Sequence, residues 1–250
     1  MKGEIIAMQQ NRKKCGSILG DKHLNSEKPD IMERAKRLDA IILVDTSGTM
    51  MGYQNLLTEC VRKLYAEIMK DPQAKRAVEL GVVTFNNYIC IKQQITEIYK
   101  QKHEGNLEFE CGGGTLTGHA VRKALSMLKK RRKQLEDGHF HVYPPILFII
   151  SDGDPGCPDD PGVQSETNEY LEEVIDEIRE KVQARELTVV CFQIGEFATD
   201  VMKDLTGRSD GNLENVYYKL DFDKDEKVNS GKIKDFFKFA SSFLISKSRA

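Results

Sequence analysis

Ala40-Ile41-Ile42-Leu43-Val44-Asp45-Thr46-Ser47-Gly48-Thr49-Met50 is the stretch from which the fold of this 250-residue chain can be read. Five apolar residues run into a carboxylate, and two hydroxyl residues, Ser47 and Thr49, follow at alternate positions. A short apolar run rich in β-branched side chains reads as a buried strand. Asp45 then stands where the strand ends, and Ser47 and Thr49 lie on the loop beyond it. A carboxylate and two neutral hydroxyls are hard oxygen donors, the ligands that Mg2+ or Mn2+ takes.

A second strand of the same kind is predicted over 146–150, opened by Pro144-Pro145 and closed by Ser151-Asp152-Gly153-Asp154-Pro155. It too ends in a carboxylate. Between the two lies Cys111-Gly112-Gly113-Gly114-Thr115-Leu116-Thr117-Gly118, whose glycines let the backbone approach a neighbour closely. A helix over 119–134 follows, with Ala120, Val121, Ala124, Leu125 and Leu128 on one side. Its basic end, Lys129 to Lys133, reads as a solvated terminus that complements the helix dipole, since no aromatic residue interleaves it.

The remaining pattern alternates strands and helices. Asp30 can cap a helix over 31–38, and the first strand covers about 39–45. A helix over 53–70 is ended by Asp71-Pro72. A strand over 77–85, the turn residues Asn86-Asn87 and a returning strand over 88–91 form an antiparallel hairpin. Residues 95–110 are weakly patterned and read as loop. Then come a helix over 167–185, a strand over 187–194, a short helical piece over 201–205, an edge strand over 216–220 and a closing helix over 233–245. Strands joined by helical crossovers predict an α/β fold. The expectation is a doubly wound, mostly parallel central sheet with helices on both faces and one antiparallel edge strand. Ligands of such sheets bind at the carboxyl ends of strands near a switch in strand order, which gathers Asp45, Thr115 and Asp152 on one edge. Residues 1–30 read as a flexible N-terminal extension and 31–250 as a single domain.

Composition narrows the classes. A net charge of −2 argues against a nucleic-acid partner. The apolar runs are too short to cross a membrane, and no export signal stands out, so a cytoplasmic protein is expected. Six scattered cysteines without a CxxC imply free thiols, with Cys111 and Cys157 the pair to watch. His119, His139 and His141 show no ligand spacing and read as solvated, and Asp154 reads as a turn residue.

Asp45-x-Ser47-x-Thr49, Gly113-Gly114-Thr115 and Asp152-Gly153, in this order and each at the end of its predicted element, resemble the metal-ion-dependent adhesion site (MIDAS) of the von Willebrand factor A (VWA) family. Thr49 stands where that motif usually has Ser, a mild departure that keeps the hydroxyl. Arg37-Leu38, Asp71-Pro72, Val83-Thr84-Phe85 and Ser151-Asp152-Gly153 further resemble the bacterial tellurite-resistance TerY-type group. The resemblance spans about residues 38–246. It implies Mg2+ (or Mn2+) bound by Asp45, Ser47, Thr49, Thr115 and Asp152, the two carboxylates acting largely through water. It also implies a non-enzymatic module whose partner protein offers Asp, Glu or phosphate to the metal, in a stress-response setting.

Other readings remain. Asp45, Ser47 and Thr115 could simply cap helices. A phosphatase of haloacid-dehalogenase type also ends a strand in Asp, but needs a second Asp at the position held by Ser47. An assembly subunit without metal dependence is a third reading.

Overall fold

The computed structural model describes residues 35–101, 107–152, 167–195, 199–209, 212–221 and 226–249. The extension expected at 1–30, the turn residue Asp154 and the thiols of Cys15 and Cys157 lie outside the described residues. β1 (Lys36–Asp45) leads through a 3-10 turn at Gly48–Met50 into α1 (Gln54–Lys70) and the short α2 (Ala74–Ala77). β2 (Val78–Phe85) and β3 (Ile89–Glu97) form the hairpin, followed by α3 (Thr117–Asp137), β4 (His141–Val142) and β5 (Ile146–Ser151). α4 (Asn168–Gln183), β6 (Thr188–Ile194), α5 (Thr199–Asp204), β7 (Tyr217–Leu220) and α6 (Glu226–Lys247) complete the order.

The main sheet runs β3-β2-β1-β5-β6-β7, with β4 paired to the start of β1. Every pairing is parallel except β2 with β3. β1 is central and buried on both faces, which is why its sequence is continuously apolar rather than alternating. Its residues still divide strictly by parity. Leu38, Ala40, Ile42 and Val44 pack with α1 and α6, while Ile41 and Leu43 pack with α3 and α4. The α6 face is rich in aromatics: Phe236 stacks on Phe192 at 4.3 Å between centroids and meets Phe148 edge-on at 6.5 Å. α1 presents Leu57, Val61, Leu64 and Ile68 to the same core, the three-to-four spacing of one helical stripe. Among the described residues no helix is long and apolar enough to cross a membrane.

Three local expectations fail. Lys36 to Leu38 are strand, not the end of a helix, because Lys36 and Arg37 pair with His141 and Val142 and tertiary pairing overrides local helix propensity. The segment read as loop from 95 begins as strand: β3 continues to Glu97 in register with Glu79, and a 3-10 turn follows at Ile98–Lys100. As an edge strand, β3 is only partly buried and carries little hydrophobic signal. The basic end of α3 is not wholly solvated, for Arg131 reaches the fully buried Glu79 with hydrogen bonds of 2.5 and 2.9 Å.

Candidate metal centre

The strand order reverses between β1 and β5. Both strands end here, β1 in Asp45 and β5 in Ser151, with Asp152 next. Such a switch point opens a crevice at the carboxyl edge of the sheet. Asp45 is fully buried there, and Ser47, Thr115 and Asp152 are each at most 5% exposed. Thr49, by contrast, is exposed, so the cluster has one side open to solvent.

Asp45 is held from both sides. The Ser47 amide donates to Oδ1 at 2.7 Å, and the Ser151 hydroxyl donates to Oδ2 at 2.6 Å. Burial pushes its carboxyl up to about 7, opposed by these donors and reinforced by the negative charge of Asp152. Ser47 Oγ and Thr49 Oγ1 face each other at 3.1 Å.

These hydroxyls are not helix caps. Ser47 precedes the 3-10 turn without a side-chain capping bond, and the residues capping α1 and α3 are Tyr53 and Leu116, neither with a side-chain bond. Thr167, at the start of α4, shows what a cap looks like in this chain: its side chain accepts from the Tyr170 amide at 3.2 Å.

Thr115 is placed by its neighbours. The Gly112 amide donates to the Thr46 carbonyl at 2.8 Å, and the Gly48 amide to the Gly113 carbonyl at 3.0 Å. The glycine loop is therefore laced to the loop that carries Ser47 and Thr49. Cys111 also joins this seam, its thiol donating to the Met50 carbonyl at 3.6 Å, and burial pushes that thiol up to about 11. It is a free cysteine, as are Cys60, Cys90 and Cys191.

The structure thus brings Asp45, Ser47, Thr49, Thr115 and Asp152 to one edge of the sheet, on three chain segments laced or packed together. Sequence reading gave no part to Ser151, although it lies directly before Asp152, and treated Asn86-Asn87 as a turn only. His119 is not free in solvent: it stacks on Tyr170 at 4.2 Å, beside Arg122, which sits over the same ring at 4.9 Å. Among the described residues no three His, Cys, Asp or Glu side chains form a metal-binding group. Among the described residues, the predicted donors at this edge are two carboxylates, Asp45 and Asp152, and three hydroxyls, Ser47, Thr49 and Thr115.

A mostly parallel sheet, flanked by helices, with oxygen-bearing loops at its switch point, defines a VWA-like fold. Residues 40–154 match the family model of the von Willebrand factor type A domain. The pilus adhesin SpaC from Lactobacillus rhamnosus GG is similar in structure, with a TM-score of 0.61 at 13% identity over 85% of this chain. The present chain spans 30% of that adhesin. The vWF domain of the type V pili tip protein Mfa5 from Porphyromonas gingivalis matches at a TM-score of 0.57 and 9% identity, over 85% of this chain and 96% of its own. The manganese-loaded TRAP protein of Plasmodium vivax matches at 0.53 and 15% identity, over 80% of this chain and 74% of its own. No curated protein matches the chain in sequence.

Proposed function

We propose that this chain is a VWA-type protein-binding module that holds one Mg2+ or Mn2+ at Asp45, Ser47, Thr49, Thr115 and Asp152 and presents it to a partner. The observation that carries this reading is the hydroxyl pair Ser47–Thr49, 3.1 Å apart and free of capping bonds, beside the fully buried Asp45. Neutral hydroxyls with two nearby carboxylates suit a hard divalent ion that keeps several waters. A bound metal would supply a cationic centre, and the exposed Thr49 is the side from which solvent reaches the residues that would hold it. Ser47, Thr49 and Thr115 would bind it directly, while Asp45 and Asp152 orient its waters. A set so poor in formal charge leaves the ion attractive to an oxygen anion from outside, an Asp or Glu side chain or a phosphate. The manganese-loaded state of the TRAP protein and the pilus adhesins among the structural neighbours support this reading.

The surroundings favour a protein as partner. Met51 is 62% exposed and Tyr88 73%, two of the three large apolar side chains exposed among the described residues. Met51 directly follows the 3-10 turn Gly48–Met50, and Tyr88 directly follows Asn87 in the hairpin turn. Met and Tyr are enriched where protein partners dock. The loops after Asp45 and Cys111 carry no Lys or Arg that could clamp a transferring phosphoryl group, so binding rather than phosphoryl transfer is the role assigned. The finer placement, a TerY-type protein in bacterial stress or tellurite-resistance signalling within the cytoplasm, is part of the same proposal and rests on the sequence resemblance alone.

Calorimetric titration with Mn2+ tests it. One site is expected in the native chain and a loss of at least tenfold in affinity in Thr115→Ala, with circular dichroism unchanged. Equal binding by the two proteins would remove Thr115 from the site, and no uptake by the native chain would overturn the reading.

A further inference from the structure

The hairpin turn between β2 and β3 holds the glycine loop in place. Its two asparagines have different tasks. Asn86 closes the turn on itself: the Tyr88 amide donates to Asn86 Oδ1 at 2.9 Å, and the Asn86 amide to the Tyr88 carbonyl at 3.0 Å. Asn87 faces the glycine loop instead, where its Oδ1 accepts from the Gly114 amide at 2.5 Å. One residue beyond Thr115, the Leu116 amide donates to the Asn86 carbonyl at 3.1 Å. The residues before and after Thr115 are therefore both anchored to consecutive residues of one turn.

Gly113 shows how closely this contact is built. Its φ is +79°, and a Cβ placed there would lie 2.9 Å from Asn87 Cγ and Nδ2. Only glycine meets both conditions, the left-handed backbone and the approach of the asparagine side chain. Gly113 also gives its carbonyl to the Gly48 amide at 3.0 Å, so the loop is fixed on one side to the Ser47–Thr49 segment and on the other to the hairpin.

We infer that Asn87 is a positioning residue for the metal edge, setting Thr115 against Ser47 and Thr49 through the Gly114 amide. This rests on the metal reading above. Thr115 is separated in sequence from Ser47 by the whole of α1, α2 and the hairpin, so its hydroxyl has no local restraint to that pair. Without Asn87 the Gly114 amide loses its acceptor, and Gly114 and Thr115 lose the side-chain restraint between the backbone bonds at Gly113 and Leu116. Deleting a group that orients a metal ligand typically weakens binding by 10–100-fold.

Two readouts test this on the full chain: hydrogen exchange of the Gly114 amide by NMR without metal, and Mn2+ affinity by calorimetry. In Asn87→Ala, Gly114 exchange should speed up at least tenfold and Mn2+ binding weaken about tenfold. Asn87→Asp keeps the Oδ acceptor and should restore Gly114 protection and most of the affinity. If the alanine variant melts early, Asn87→Ser, too short to reach Gly114, carries the same test. Unchanged Gly114 protection in both shortened variants overturns the clamp, as does lost protection with undiminished Mn2+ affinity. A native chain that takes up no Mn2+ overturns the metal reading itself, and that result is read before any variant is made.

Discussion

Asp39 and Asp45 lie on the same strand, six positions apart by number, at opposite ends of the sheet. Both are fully buried, and burial pushes both carboxyls up to about 7. Their surroundings differ in kind. Asp45 has one oxygen bonded to the Ser47 amide and the other to the Ser151 hydroxyl, which fixes the carboxylate plane. Neither oxygen of Asp39 has a hydrogen-bond partner among the described residues. Asp39 lies in register with Glu79 on β2, whose negative charge opposes its ionisation, while Arg131 and Arg132 on α3 favour it. The guanidinium of Arg131 is already bonded to Glu79, and Arg37 approaches Glu79 at 3.4 Å and Glu97 at 2.8 Å. The amino end is thus a structural ion cluster with a carboxyl left over, and the carboxyl end holds Asp45 by two directed bonds beside the Ser47–Thr49 hydroxyl pair. Burial and a raised carboxyl do not by themselves distinguish a candidate site from a structural position. At Asp45 the two directed hydrogen bonds and the neighbouring hydroxyls are what support the proposed site.

The largest effect expected is at the amino end. Glu79→Ala removes the carboxylate that Arg131 and Arg37 share, and should lower stability by about 3–5 kcal/mol, read by urea unfolding. Loss of less than 1 kcal/mol would mean that the cluster contributes nothing to the fold.

At the carboxyl end, Asp45→Ala should weaken Mn2+ binding by at least about 100-fold, roughly 2.7 kcal/mol, while Asp39→Ala leaves it within about twofold. Equal losses in the two variants would erase the contrast drawn between them.

Next in size is the pH response of Asp39. The folded chain keeps its proton up to about pH 7, whereas the unfolded chain releases it near about pH 4. Between those values the folded state binds more protons, so the stabilising contribution is full at low pH and is lost as pH rises to 7. Asp45 contributes a slope of the same sign over the same range. Asp39→Asn should therefore make the fall of stability between about pH 4 and 7 clearly shallower and gain about 1–3 kcal/mol over the native chain at pH 8, measured by unfolding at several pH values. An unchanged slope would show that Asp39 is ionised in the folded protein.

The smallest effect is expected at Ser151. Ser151→Ala takes one donor from Asp45 and makes it more like Asp39. Mn2+ affinity should fall by about three- to tenfold, the scale of one hydrogen bond to a charged group. No change would assign the orientation of Asp45 to the Ser47 amide alone.

Much of this arrangement was legible in the chain itself. The apolar run ending in Asp45 gave β1, because a strand buried on both faces must be apolar throughout. Asp152 followed from the same pattern, and the parallel sheet from the alternation of strands with helical crossovers. The hairpin was readable in Asn86-Asn87, since asparagine tolerates turn backbone. These are local or periodic signals, determined by a residue and its near neighbours.

The rest came from contacts between distant segments. The extension of β1 back to Lys36 depends on β4, a strand of two residues with no pattern of its own. Arg131 looked like one cation in a solvated basic run until the packing of α3 brought it to Glu79, 52 residues away in sequence. Ser151 bonds to Asp45 across 106 residues, and Asn87 to Gly114 across 27. Directional hydrogen bonds between distant segments leave no periodic trace in a sequence, because any polar residue can make one and only the register of the packed strands selects which does. The sequence alone indicated where β1 and β5 finish and which oxygen-bearing residues follow them. The packing of β1 against β5, and of the glycine loop against the hairpin, decided how those donors are held.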